Sequence, residues 1–325
     1  MKSKWKYNLA VLAVGVFWLF PSVEPRGSFE PKMSDDNWIG RRESFNNYSL
    51  MSQRSDRGEG KNVMDQTLVN NSRIQSAQPD RSILEDIKRI EYDEIEYGNE
   101  SLEYYRFIRG KIPILISAPH GAPHFRRKLH RWIGEDEYTS SLAIVLGQLT
   151  GAHVIYVKNK TREDPNNDPQ SKYKMAMARA VKDYHIQFLL DLHGSDEGRP
   201  YKIDVGITHD EARRSSCPTF KETIQEAFSD FQPEIFNQRF CAKDTCTLTS
   251  FAKNELGIEA AQVEINAKYR IVERKPDSFK AKRGIAPCFQ ANPQDVLDLI
   301  ARLERMIEGI NQRIEEGTLA NCYNP

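Results

Sequence analysis

Neither sign of charge is in surplus. The 325 residues carry 46 Lys and Arg against 46 Asp and Glu, a formal net charge of zero. Attraction to a polyanion needs an excess of cations, so the balance argues against nucleic acid as a partner. Cysteine is scarce at five residues, too few for a disulfide scaffold in a chain of this length. The N-terminal apolar run, Leu9 to Phe20, falls short of the roughly 18 residues that a spanning helix needs. No Gly-x-Ser-x-Gly elbow and no phosphate-cradling Gly-rich loop occurs. Serine-hydrolase and nucleotide-binding readings therefore lack their local signatures. What is present, 39% hydrophobic and 28% charged residues, is a globular composition with enough apolar side chains for a sizeable core.

Three segments follow from the patterning. Lys2, Lys4 and Lys6 precede the apolar run, and Pro21 stops it. A basic stretch followed by a short apolar one reads as a secretory signal, or as an uncleaved N-terminal anchor, over 1–23. The chain is thus expected to be exported: secreted, periplasmic, or tethered to a membrane by that segment. Residues 24–80 are rich in Ser, Asn, Asp, Arg and Gly with scattered apolar residues, which reads as a disordered linker. Export to an oxidising compartment would let Cys241 and Cys246 bridge.

Residues 81–325 read as one α/β domain. Apolar spacing predicts strands at Ile112–Ser117, His153–Val157, Ile186–Leu192, Ile203–Thr208 and Ala260–Ile265. Helices are predicted from Ile83, then at Tyr138–Thr150, Ser171–Tyr184, Phe220–Phe228, Thr249–Leu256 and Val296–Ile314. Met175 and Met177 read as core filler. Ile186–Leu192 is nearly all apolar, as expected of a strand buried on both faces. The alternation predicts a three-layer α/β/α sandwich around a central sheet.

Three of these strands end in, or carry, an ionisable residue: His120, His193 and Glu264. Ligands of open α/β sheets bind beyond the carboxyl ends of strands. Asp191 and His193 share a strand face, so Asp191 can orient the ring or help activate water, and Gly194 leaves room beside it. In Gly134-Glu135-Asp136-Glu137-Tyr138-Thr139 the acids suit a helix N-terminus, unless one turns inward as a metal ligand. Two histidines and a carboxylate suit one Zn²⁺ with an open position for water. Glu264, inside an apolar strand, would be the general base; Arg270 is one possible ion-pair partner for it and is also expected among the substrate-binding residues. Arg162 and Asn166, in the loop after the second strand, could grip a substrate carboxylate.

Five short motifs, in order over about residues 105–270, are similar to the N-formylglutamate amidohydrolase family. They are Ser117-Ala118-Pro119-His120-Gly121, Glu135-Asp136-Glu137-Tyr138-Thr139, Asp164-Pro165-Asn166, Leu190-Asp191-Leu192-His193-Gly194, and Gln262-Val263-Glu264-Ile265-Asn266 with Arg270. The resemblance implies a zinc carboxypeptidase- or aspartoacylase-like fold with a mixed sheet. It implies zinc-dependent hydrolysis of an N-acyl (formyl-type) or γ-glutamyl amide of an acidic amino acid, from a small or peptide-like substrate. His120 and His193 match the metal histidines, Asp136 or Glu135 the third ligand, and Glu264 the catalytic carboxylate. Asn167 stands where relatives carry an Arg after the Asn, with Arg162 as a substitute. A non-catalytic, envelope-associated binding protein on the same fold is the alternative. A thiol enzyme using Cys241 or Cys246 is a third reading, without a catalytic-cysteine signature around either residue.

Overall fold

The computed structural model describes residues 82–207, 217–240 and 246–318. The leader and linker expected over 1–23 and 24–80 lie outside the described residues, as does Cys241. Among the described residues no helix is long and apolar enough to cross a membrane.

The chain enters through helix α1 (82–93), whose Ile87 and Ile90 are buried. Strands β1 (Glu96–Glu100), β2 (Tyr105–Ile108), β3 (Ile112–Ala118), β4 (His124–Arg126) and β5 (Arg131–Ile133) follow. After helix α2 (Thr139–Thr150) come β6 (Ala152–Val157), β7 (Asn159–Lys160) and α3 (Lys172–Asp183). The remainder is β8 (Phe188–Ser195), β9 (Ile203–Gly206), α4 (Pro218–Phe228), α5 (Leu248–Asn254), β10 (Glu259–Asn266) and α6 (Pro293–Glu315). The six-stranded sheet has the order β2-β6-β3-β8-β10-β9. Its four central strands are parallel, and both edge strands are antiparallel to their neighbours. The register between β3 and β6 shifts between Ile112 and Leu115, where Pro113 has no N–H to give to the ladder.

Strand parity divides the layers. Val154, Ile116 and Leu190 lie side by side in register, and Phe188 shares their face. On that face Gly147 of α2 meets Val154, Phe220 of α4 packs on Phe188, and α6 lies on α2 and α4. The opposite face carries Ser117 beside Asp191, and Tyr173 of α3 bonds to Ser117 Oγ at 3.0 Å. Lys174 of α3 lies over the Phe251 ring of α5, which sets α5 beside α3. The result is the expected mixed sheet between helical layers.

Most predicted elements form within a residue or two of their expected bounds. The caps explain why. Ser171 Oγ accepts from Lys174 N at the start of α3, and Gly151 ends α2 at φ 79°. Strands β1, β2, β4, β5 and β7 are short and were not legible as periodic runs. Met177 is fully buried, but Met175 is half exposed and is not core filler. The bridge considered between Cys241 and Cys246 involves a residue outside the described ones. Cys217 is disulfide-bonded.

Ser171 also donates from its hydroxyl to Pro165 O at 3.2 Å, tying the helix start to the preceding loop. Ser171→Ala should therefore lower unfolding free energy by about 1–2 kcal/mol, with an unchanged denaturant slope in urea titration.

Candidate metal centre

Parallel pairing brings the carboxyl ends of β3, β8 and β10 to one edge of the sheet. Register then aligns the side chains. Ser117 lies beside Asp191, Asp191 beside Gln262, and His193 beside Glu264. His120, two residues beyond β3, falls next to His193, with ring centroids 4.9 Å apart and edge to face.

Asp136 arrives by a different route. Its backbone N–H donates to His120 O at 2.8 Å, which ties the turn before α2 to the loop after β3. Tyr138 takes a left-handed conformation (φ 67°) to enter α2. Strain there is offset by hydrogen bonds from Tyr138 N to Glu91 and from Tyr138 Oη to Glu273 O. The turn sends its three acids to three partners. Glu137 receives Arg274 Nε at 3.0 Å on both oxygens. Glu135 accepts from Phe279 N, and burial pushes its carboxyl up to about 7. Asp136 faces the histidines, so Asp136 and not Glu135 joins the cluster.

Asp136 Oδ2 lies 3.5 Å from His120 Nδ1 and 3.3 Å from His193 Nδ1. A tetrahedral cation with bonds of about 2.1 Å places its ligand atoms roughly 3.4 Å apart; Asp136 Oδ2 has that spacing to each nitrogen, and the three residues offer ligand atoms all within 4.8 Å of one another. The far nitrogens are also held. His120 Nε2 is 3.1 Å from Asp164 Oδ1, and His193 Nε2 is 3.1 Å from Asp191 Oδ2. A proton on each Nε2 would be donated outward and leave each Nδ1 lone pair facing Asp136, the arrangement in which an outer carboxylate orients a metal-binding imidazole. The donor set thus fits a metal ion.

Electrostatics point the same way. Burial works against charge on both rings, but hydrogen bonds to Asp136 and Asp164 raise His120, and Asp191 and Asp136 raise His193 well above the usual range. Asp136 and Asp164 are held far below the ordinary carboxylate range. Burial opposes the shift, and the histidine contacts outweigh it. Four acids, Asp136, Asp164, Asp191 and Glu264, surround two imidazoles, and such a set calls for a positive charge at its centre.

A second grouping, His120, His124 and Asp164, also has ligand spacing. Its geometry suits positioning better. Arg126 Nε already sits 2.7 Å from Asp164 Oδ2, and His124 is stacked flat on His120 with centroids 4.0 Å apart. Burial, His120 and Arg126 keep His124 neutral, well below its usual range.

The remaining expected residues divide. Glu264 is buried, and Gln262 Nε2 donates to its Oε1 at 2.8 Å. Burial raises it to about 6, partly opposed by His193. Among the described residues Arg270 makes no ion pair with Glu264. Its guanidinium lies against Gly194, where any Cβ would come within 2.4 Å of Nη2. Arg270 is 4% exposed, yet among the described residues Nε and Nη1 have no hydrogen-bond partner. Asn166 reaches the cluster: its Oδ1 accepts from Leu248 N at 2.7 Å, at the start of α5, and its Nδ2 lies 3.4 Å from His193 Nε2. Arg162 is not brought to the cluster. Pairing of β7 with β1 carries it to Glu100, at 2.8 Å, with three-quarters of its side chain exposed.

Sequence reasoning held His124 only as a spare ligand candidate, quoted Asp164 and Gln262 within motifs without giving either a role, and missed Arg126. Gln262 could have been found, since it lies two residues before Glu264 on the same strand face. Asp164 is a lone loop acid with no periodicity to mark it.

The fold and the cluster together define a class: an α/β protein with a candidate His-Asp-His metal centre at the carboxyl edge of its sheet. No family model matches the chain, and no curated protein does. Among solved structures it is similar to an N-formylglutamate amidohydrolase from Ralstonia eutropha, at 10% identity and TM-score 0.43, over 66% of this chain and 100% of that one. It is also similar to a bacteriophage poly-gamma-glutamate hydrolase, at 18% identity and TM-score 0.40, over 66% and 91%. A metallo-carboxypeptidase from Pseudomonas aeruginosa matches at 12% identity and TM-score 0.36, over 62% and 57%. The chemistry below rests on this chain's own residues.

Two substitutions test the centre by divalent-cation affinity, read by competition with a chromophoric chelator. His193→Ala should abolish stoichiometric binding. Asp164→Asn should keep the site but weaken it about 10–100-fold, the cost of losing an orienting partner.

Proposed function

We propose that the chain is a zinc-dependent amidohydrolase that cleaves an N-acyl (formyl-type) or γ-glutamyl amide of an acidic amino acid. One observation carries the reading: two imidazole Nδ1 atoms and one carboxylate oxygen converge at ligand spacing beside a buried glutamate that does not belong to the ligand set. Two nitrogens and one oxygen suit zinc, which when bound supplies Lewis-acid polarisation and water activation.

The protein's own groups do the rest. Glu264 is a proton carrier. Its Oε1 is occupied by Gln262, so Oε2 is the atom left to take a proton from the attacking water. Attack forms the C–O bond at the amide carbon. Collapse breaks C–N, and Glu264 returns the proton to the departing nitrogen. An ordinary glutamate would be a weak base; burial lifts Glu264 to about 6, close to neutral operating pH. Asp164 and Asp191 hold the rings in one tautomer and orientation. Asp191 acts here through His193.

Arg270 supports an acidic substrate. A buried guanidinium with two unpartnered nitrogens is costly, and a carboxylate would satisfy it with a paired fork of hydrogen bonds. Gly194 makes room for that guanidinium at the strand end next to His193. This role replaces the one expected of Arg162.

Glu264→Gln should retain zinc by elemental analysis while turnover of N-formyl-L-glutamate falls at least about 10²-fold. Retained turnover removes Glu264 from the mechanism. The base form is needed, so wild-type kcat/KM should be lost as pH drops through about 6. A rate that stays flat across that window contradicts the assignment.

A further inference from the structure

The hairpin formed by β4 and β5 carries Arg126, Arg127, Lys128 and Arg131. Tertiary structure adds two more cations to it. Lys160 Nζ lies 4.1 Å from the Trp132 ring centroid on β5, and Arg162 Cζ lies 5.9 Å from it. Six cations are thus gathered on and around this hairpin in a chain with no net charge. Their acidic partners are fewer: Asp164 for Arg126, Asp168 for Arg127, and Glu100 shared by Lys160 and Arg162. Lys128 and Arg131 are exposed and have no ion-pair partner among the described residues.

A cleft of about 240 Å³ is lined by Arg126, Arg127, Lys128, Asp164, Asn167 and Asp168. Asp164 belongs to both cleft and centre, since its other oxygen holds His120 Nε2. The basic hairpin is therefore mechanically continuous with the reactive site. An N-acylated acidic amino acid carries two carboxylates; Arg270 can receive one, and the single one left does not account for both Lys128 and Arg131.

We propose that the hairpin is a subsite for additional carboxylates, so that the substrate is a chain of acidic residues joined by amides rather than one acylated amino acid. This rests on the amidohydrolase reading and narrows its substrate class. The acidic chain lies with one residue at Arg270 and its neighbours over Lys128 and Arg131. Electrostatic attraction of this kind speeds encounter and fixes orientation more than it adds contact energy.

The test uses the full chain and a fluorescein-labelled linear glutamate oligomer, followed by anisotropy with a chelator present so that binding is read without turnover. Wild type should bind with an affinity that falls as salt rises. Lys128→Ala combined with Arg131→Ala should weaken binding about 5–30-fold, as expected of two exposed charge contacts acting together. Lys282→Ala, an exposed cation outside the hairpin, should not change it. Equal affinity of the double variant and wild type overturns the proposal. So does equally tight binding of a DNA oligonucleotide of the same charge, which would mark general attraction to polyanions. Cleavage of N-formyl-L-glutamate, assayed in parallel with zinc, separates the two readings. Hairpin-dependent binding without any cleavage upholds the subsite and removes the reaction. Cleavage of the small substrate without oligomer binding upholds the reaction and removes the subsite.

Discussion

The Asp136 carboxylate between two imidazoles is the contact around which the site is organised. It joins the loop after β3, the turn before α2 and the end of β8, three segments far apart in the chain. Each ring is then fixed from behind by a second carboxylate, Asp164 or Asp191. A set of buried acids at this density is unfavourable on its own, because each must give up water and all repel one another. It persists only with positive charge among them. Arg126 supplies some at Asp164, and the remaining demand falls at the point where the two Nδ1 atoms and Asp136 meet.

The same logic explains why neighbouring residues of identical chemistry end in different roles. Glu135, Asp136 and Glu137 are consecutive acids at a helix start. The left-handed Tyr138 fans them apart, so one caps the Phe279 N–H, one meets the rings and one pairs with the buried Arg274. Arg162 and Arg270 divide similarly. One rides on β7 to an exposed contact with Glu100; the other folds back over Gly194 into the interior. Residue type does not separate these pairs; the path of the backbone does.

Glu264 shows how the scaffold tunes reactivity. Parallel pairing sets it beside His193, Gln262 engages one oxygen, and burial raises the proton affinity of the carboxylate. The cation-rich hairpin is a surface counterpart, joined to the centre through Asp164.

Much of the architecture is a local property of the chain. Nearly continuous apolar runs such as Ile186–Leu192 can be stable only when covered on both faces, and Ser171 and Gly151 mark helix ends through their own hydrogen bonding and backbone freedom. His120, His193 and Glu264 were legible because each sits at, or near, the end of such a run. The roles of Asp164 and Arg126 were not, and His124 stood only as a spare candidate, since an acid or base in a loop carries no period that reveals its facing direction. The choice among Glu135, Asp136 and Glu137, the exclusion of Arg162 and the burial of Arg270 were decided by tertiary structure alone. Those outcomes depend on strand register and on one backbone hydrogen bond between Asp136 and His120, interactions between segments that sequence places far apart.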